Sequence, residues 1–356
     1  MSDSAPMVRV ALIGYGYVGK TFHAPLINAT KGLELAVVAS SDADKVHMDM
    51  PGVEVVADPY GAVINEGVDL VVIASPNDTH APLARAALEA GKHVVVDKPF
   101  TLDLAQAREL AQLATRCGRL LSVFQNRRWD SDFLGVQQVI AQGLLGDVVH
   151  FESHFDRFRP TLRDRWREHA GAGGGLWYDL GPHLIDQALL LFGLPDRVQA
   201  NLAIQRPGGE ATDWAHVLLE YGSRRVILHA GMLVAGGSDR FTVHGTRGSL
   251  VKRLADGQEA QLKAGVIPGA RGWGEDADDM LFHDGDGKVS RIETPAGDQR
   301  LYYAMLRDAL LHGSANPVSP LQAVTVMAVL EAAIASASKG CSVSLSLSAE
   351  ESAAWR

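Results

Sequence analysis

The hexapeptide Gly14-Tyr15-Gly16-Tyr17-Val18-Gly19 follows directly on the β-branched run Val8 to Ile13, and that placement narrows the fold more than any other feature. A G-x-G-x-x-G that leaves a strand and opens a helix is the fingerprint of a dinucleotide-binding turn. Its first glycine permits a tight turn, its second lets a pyrophosphate approach the backbone, and its third lets the helix pack close to the strand. The helix N-terminus adds unpaired N–H groups and the positive end of its dipole. Alone the motif is weak, because glycine is common in loops. Here it opens a long alternation of strands and helices.

Val8 to Ile13, Leu33 to Ala39, Val53 to Val56, Leu70 to Ile73, His93 to Val96 and Leu120 to Val123 read as strands. Ala81 to Ala90 and Leu104 to Arg116 carry apolar residues at helical spacing, and Gly91 and Gly118 fall where a helix C-terminus calls for positive φ. After Asn126 the pattern changes. A helix is expected over Phe133 to Gln142 and a strand over Val148 to Phe158. Consecutive strands follow over Arg197 to Gln205, Ala215 to Tyr221, Val226 to Val234, Phe241 to His244 and Ser249 to Leu254. Asp284-Gly285-Asp286-Gly287 suits a hairpin turn. Helices over Tyr302 to His312 and Pro320 to Lys339 and a short last strand close the chain. The expected class is α/β: an N-terminal Rossmann domain, with a parallel doubly wound sheet, over 1–125, then an α+β domain over 126–356. The second domain is built on a large, mostly antiparallel open sheet and serves substrate binding and oligomerisation.

The chain's 42 acidic residues outnumber its 33 basic ones, which argues against a nucleic-acid partner. Cys117 and Cys341 have no partner spacing for a disulfide framework or a cysteine zinc site. Every long apolar run is broken by charge, Gly or Pro before about 18 residues. A cytoplasmic protein with no membrane partner is expected. An open sheet with one face bare of helices would have to be covered, and a homodimer or homotetramer is expected to cover it.

An NAD-specific site usually has an acid at the end of the second strand. This chain has Ser40-Ser41 there, with Lys45 close by. Neutral hydroxyls would not repel a 2′-phosphate and Lys45 could neutralise one, so NADP is expected and NAD is the second choice. Asp42 is the counter-argument, because a strand two residues longer would make it the ribose acid. Farther along, Asp179, His183 and Asp186 recur at i, i+4 and i+7 on a helix whose other positions are apolar. A structural histidine bonded to a neighbouring acid and a metal site are the alternative readings, and no H-E-x-x-H or matched cluster supports the metal.

Ser75-Pro76-Asn77-Asp78-Thr79-His80, Asp97-Lys98-Pro99, Gly173-Gly174-Gly175 and Asp179-Leu180-Gly181-Pro182-His183 with Asp186 lie in this order along the chain. Together with Phe22-His23-Ala24-Pro25 they resemble the T-P-N-x-x-H, E-K-P and G-G-G…D-x-G-x-H-x-x-D motifs of the Gfo/Idh/MocA oxidoreductases. The resemblance runs from Val8 to about Lys339 and is weakest over Ala255 to Asp298. It is greatest to the family's NADP-dependent scyllo-inositol dehydrogenases, through Ser40-Ser41 and Arg127-Arg128-Trp129-Asp130. It implies hydride transfer between a nicotinamide and a CH–OH group of a polyol, inositol or sugar, with no metal required. His183 is then the general acid/base, Asp179 orients it or a substrate hydroxyl, and Lys98 polarises the reacting oxygen.

The cofactor is expected on the glycine turn from Gly14 to Gly19, on Ser40, Ser41, Lys45, Ser75, Pro76, Asn77, His80, Asp97 and Lys98, and, by resemblance to a W-R pair, on Trp166 and Arg167. Asp97 stands where the family usually has Glu, one methylene longer, so its ribose contact is in question. Arg127, by resemblance, with Asp130, Asp156, Lys98, Asp179 and His183, is expected to contact substrate; for the arginine a salt-bridging role is as strong a reading. The opposing function is a non-catalytic nucleotide-sensing regulator of the same fold. The presence of Lys98, Asp179 and His183 together favours the enzyme.

Overall fold

The computed structural model describes residues 6–164 and 166–355. Its chain contacts gather into two compact units: Met1–Asn126 with Gln258–Trp273 and Asp298–Val324, and Arg127–Gly257 with Gly274–Gly297 and Thr325–Arg356. The sequence reading placed one cut at 125/126. Two later segments instead pack with the first unit, because the Tyr302 and Tyr303 rings bury against Phe124 there.

In the first unit β1 (Val8–Ile13), β2 (Leu33–Ala39), β3 (Glu54–Val56), β4 (Leu70–Ile73), β5 (His93–Val96) and β6 (Leu121–Val123) form one sheet of order β3-β2-β1-β4-β5-β6. Every pairing is parallel. These strands are runs of Val, Ile, Leu and Ala because helices cover both faces, leaving no solvent side for polar alternation. Their ends are level: Ile13 pairs Ala39 and Ile73, Ala39 pairs Val56, Ile73 pairs Val96, and Val96 pairs Val123. All six following loops therefore leave one edge. The order reverses between β1 and β4, the switch point where such sheets bind ligands. Gly91 (φ 76°) and Gly118 (φ 60°) end the helices His80–Glu89 and Leu104–Cys117 as expected.

The second unit contains β7 (Val148–Asp156), β8 (Arg197–Ala203), β9 (Trp214–Tyr221), β10 (Arg224–Gly231), β11 (Phe241–Gly245), β12 (Gly248–Lys252), β13 (Met280–Asp284) and β14 (Val289–Ile292). They form one sheet of order β14-β13-β12-β11-β7-β10-β9-β8. Only the β7–β10 pairing is parallel. Asp284 to Gly287 does turn the β13–β14 hairpin. Alternation here marks one buried face: Phe151, Phe155, Val217, Leu219, Val226 and Leu228 point inward, on the side of the helix Leu176–Phe192. The short last strand reduces to a single bridge between Val343 and Val198, and the chain ends instead in a helix, Ala349–Ala353, with a Ser348/Glu351 capping box. Among the described residues one helix, Pro320–Lys339, is long and apolar enough to cross a membrane, but 61% of its most apolar window is buried within the protein.

Candidate active site

At the switch point three glycines divide the labour. Gly14 has φ 96°, and a Cβ there would meet the Ala74 carbonyl oxygen at 2.8 Å, so β1 and β4 can close together only on glycine. A Cβ on Gly19 would collide with the Gly14 carbonyl. Gly16 faces open space, as backbone approached by a pyrophosphate requires. The chain turns into helix at Tyr17, and Gly19–His23 is a π-helical turn. These residues fit a dinucleotide.

Tyr15 is buried; its hydroxyl donates to Asp49 at 3.0 Å, and burial and that carboxylate raise its pKa. Lys45 Nζ donates to the Tyr15 carbonyl at 3.0 Å, bringing an ammonium onto the glycine turn. Strand β2 stops at Ala39, and Ser40 Oγ turns back onto the Asp42 backbone. Asp42 accepts from the Lys45 amide at 2.9 Å as the N-cap of the helix Ala43–Asp49. Asp42 is thus engaged as a helix cap, while its side chain stays exposed.

Ser75 and Thr79 share a 2.6 Å hydroxyl hydrogen bond, Pro76 precedes the 3-10 turn Asn77–Thr79, and Asn77 is buried. His80, expected on the cofactor, is wholly internal. Its Nδ1 lies 2.9 Å from the Pro99 carbonyl and its Nε2 3.0 Å from the Ser75 carbonyl. Burial holds the imidazole below its ordinary pKa, and the neutral ring donates to one of the two carbonyls; lying between them, it joins the loop after β4 to the loop after β5. Asp97 is also turned inward. It is 5% exposed, with an oxygen 3.6 Å from His23 Nε2, while His23 Nδ1 meets the Tyr303 hydroxyl at 2.5 Å. Burial raises the Asp97 carboxyl, and His23, Lys98 and His80 outweigh it, leaving the pKa below the usual range. Asp97, His23 and Tyr303 lie in a buried row beside the half-buried Lys98, and this burial argues against the expected ribose contact of Asp97.

Sequence reasoning missed a clamp on the glycine turn. The Tyr17 hydroxyl donates to Glu259 at 2.7 Å, and Lys263 lies over the Tyr17 ring at 5.4 Å. Both partners come from the stretch 255–298, where the motifs run out.

In the second unit the helix Leu176–Phe192 starts after Gly175 (φ 88°). Leu180, Leu184, Ile185, Ala188 and Leu189 are buried, His183 is 5% exposed, and Asp179, one turn earlier, is partly open with Arg167 Nε 4.0 Å away. The structure thus sets Asp179 and His183 one turn apart on one helix face, with Arg167 from the preceding turn beside Asp179. The side chain of Trp166 lies outside the described residues. Asp186 leaves the stripe, because Arg128 holds it in a buried two-pronged pair at 2.9 and 2.7 Å. Asp130 is fully buried against Arg127 at 2.9 Å, an internal counter-ion rather than a substrate contact. Arg127 also stacks over Phe155 at 5.0 Å. Asp156, next to Phe155 on the strand, points to the other face and meets His154 and His229. The alternating His150-x-Glu152-x-His154-x-Asp156 was the missed signal.

Residues 8–125 match the family model for an oxidoreductase NAD-binding Rossmann fold and residues 137–345 the model for the same family's C-terminal alpha/beta domain. The uncharacterized oxidoreductase YdgJ of Escherichia coli is 55% identical over 95% of this chain and 97% of its own. The scyllo-inositol 2-dehydrogenase (NADP(+)) IolW of Bacillus subtilis is 35% identical over 92% and 93%. A crystal structure from Klebsiella pneumoniae superposes with TM-score 0.93 at 60% identity, over 99% of each chain. Two family models that together span most of the chain, and relatives matched over nearly its whole length, establish one conclusion: the chain belongs to the Gfo/Idh/MocA oxidoreductase family.

Proposed function

We propose that this chain is an NADP-preferring dehydrogenase acting on a CH–OH group of a polyol, inositol or sugar, with scyllo-inositol the first substrate to test. The observation that carries the reading is the buried His183 one turn from the partly open Asp179, at the head of the helix Leu176–Phe192. Histidine suits proton transfer near neutrality because its ordinary pKa is about 6.5. His183 takes the hydroxyl proton, Asp179 orients the imidazole or a neighbouring hydroxyl, and the Lys98 ammonium draws charge onto the reacting oxygen. The glycine turn, Ser75, Pro76, Asn77, Ser40, Ser41 and Lys45 would hold the dinucleotide, which supplies the hydride acceptor or donor. The ending of β2 at Ala39, the capping role of Asp42 and the placement of Lys45 support NADP. The IolW likeness supports the same cofactor and substrate class.

The free thiols Cys117 and Cys341 suit the cytoplasm, and we infer a homo-oligomer that covers the outer face of the large sheet. Initial rates with NAD and NADP against inositols, aldoses and simple alcohols test the function. The reading requires the highest kcat/KM with NADP and a cyclic polyol or sugar. Tight nucleotide binding with no turnover on any member would favour the regulator instead.

A further inference from the structure

We propose that His154, Asp156 and His229 form a site for one zinc-type divalent cation on the outer face of the large sheet. The three belong to adjacent parallel strands: His229 of β10 is directly opposite His154 of β7, and Gly231 is opposite Asp156. Candidate ligand atoms of all three lie within 4.8 Å of one another. His154 Nδ1 is 3.3 Å from Asp156 Oδ2 and His229 Nε2 is 3.5 Å from Asp156 Oδ1. Charge-assisted hydrogen bonds between such groups settle at about 2.7–2.9 Å. Ligand atoms about 2.05 Å from a tetrahedral zinc are about 3.3 Å apart. Measured to the two oxygens of one carboxylate, the observed spacings are longer than such hydrogen bonds and near that ligand separation, which leaves room for a cation among the three groups.

Two independent features point into the same space. The Asp156 side chain is 2% exposed, and its Oδ1 has no hydrogen-bond partner although it is buried. A carboxylate oxygen left so is costly unless a cation meets it. Opposite it, Gly231 keeps the space open: a Cβ there would stand 3.2 Å from Asp156 Oδ1 and 3.5 Å from His229 Nε2.

The outer partners are those a metal-bound histidine needs. His154 turns its other nitrogen, Nε2, to Glu152 at 2.9 Å, and His229 turns Nδ1 to His216 Nδ1 at 3.4 Å. Each ring therefore offers one nitrogen inward while the other is fixed by a neighbour, which sets tautomer and orientation. Two imidazoles and one carboxylate favour zinc over calcium or magnesium, which prefer all-oxygen sites, and leave a fourth position for water. Ser238 stands against the same carboxylate.

The test uses full-length protein stripped with a chelator, then titrated with Co²⁺ by visible absorption and with Zn²⁺ by calorimetry. One equivalent per chain, an intense tetrahedral Co²⁺ band displaced by Zn²⁺, and a rise in melting temperature with Zn²⁺ are expected. His229→Gln should abolish the band, and Glu152→Gln should weaken affinity about 10–100-fold. Gly231→Val keeps every ligand and fills the space, so it should also abolish the band. If circular dichroism shows that His229→Gln does not fold, Glu152→Gln carries the comparison. A wild-type protein with no saturable tetrahedral band, or a band that folded variants leave unchanged, overturns the site.

Discussion

The edge of the Rossmann sheet and the helix Leu176–Phe192 solve different problems by different means. At the sheet edge the requirement falls on main chain: Gly14, Gly16 and Gly19 matter for the side chains they lack, and His80 and Asp97 face inward to hold loops. On the helix it falls on side chains, with His183 and Asp179 mounted on a frame of buried leucines. The difference teaches that damage at the edge should act on nucleotide affinity and damage on the helix on rate.

The largest expected effect sharpens that contrast. His183→Asn should lower kcat by about 10²–10⁴-fold and remove one limb of the pH–rate profile, with NADPH binding retained. A lower melting temperature with the pH profile intact would make His183 structural. Asp179→Asn should act through the same ring, so the double variant should lose less than the product of the single losses.

Next in size is a residue that breaks the contrast by position. Lys98 belongs to the sheet edge, yet Lys98→Met should lower kcat by about 10²–10³-fold while fluorescence titration shows nearly unchanged NADPH binding. Retention of most activity would reduce Lys98 to a surface lysine. A smaller effect, confined to affinity, is expected from Ser40→Asp. The new carboxylate should reverse the NADP preference by about tenfold, about 1.4 kcal/mol, and a preference that does not move would remove Ser40 from the site.

The smallest effect concerns acid stability. The Asp97 carboxyl titrates below its usual value in the folded chain, so its contribution is present above the unfolded pKa of about 3.9 and is lost as pH falls through the folded value. The melting-temperature gap between wild type and Asp97→Asn should therefore be constant from neutrality to about pH 4 and narrow below it. A gap that instead closes between pH 8 and 6 would assign the effect to a histidine.

The first sheet was legible almost to the residue, because a strand buried on both faces must be an unbroken β-branched run and its loops carry glycine and proline at fixed places. Helical spacing made legible that Asp179 and His183 share one helix face, whereas the roles proposed for them come from the family resemblance. What stayed hidden depends on partners far away in sequence. Asp130 sits three residues from the arginine that neutralises it, yet the run Arg127-Arg128-Trp129-Asp130 does not say that Arg128 reaches Asp186 instead. Val343 has strand character and finds one bridge only. Asp156 lies on the even-numbered face of β7, opposite the buried face of Phe151 and Phe155, and only the sheet's packing shows which face is which. Nothing local marks Gln258–Trp273 and Asp298–Val324 as members of the first unit.

That last membership sets a timetable for synthesis. Phe124 and Ser122 reach the ribosome exit early, but Tyr302 is what donates to Ser122 at 2.9 Å, and the carbonyl that Ser122 itself donates to belongs to Val318. At about 5–20 residues per second the nascent sheet waits roughly 10–40 s for those segments. During that interval Phe124 and the end of β6 stand uncovered, so the sheet that is translated first cannot be closed until most of the second unit has been made as well.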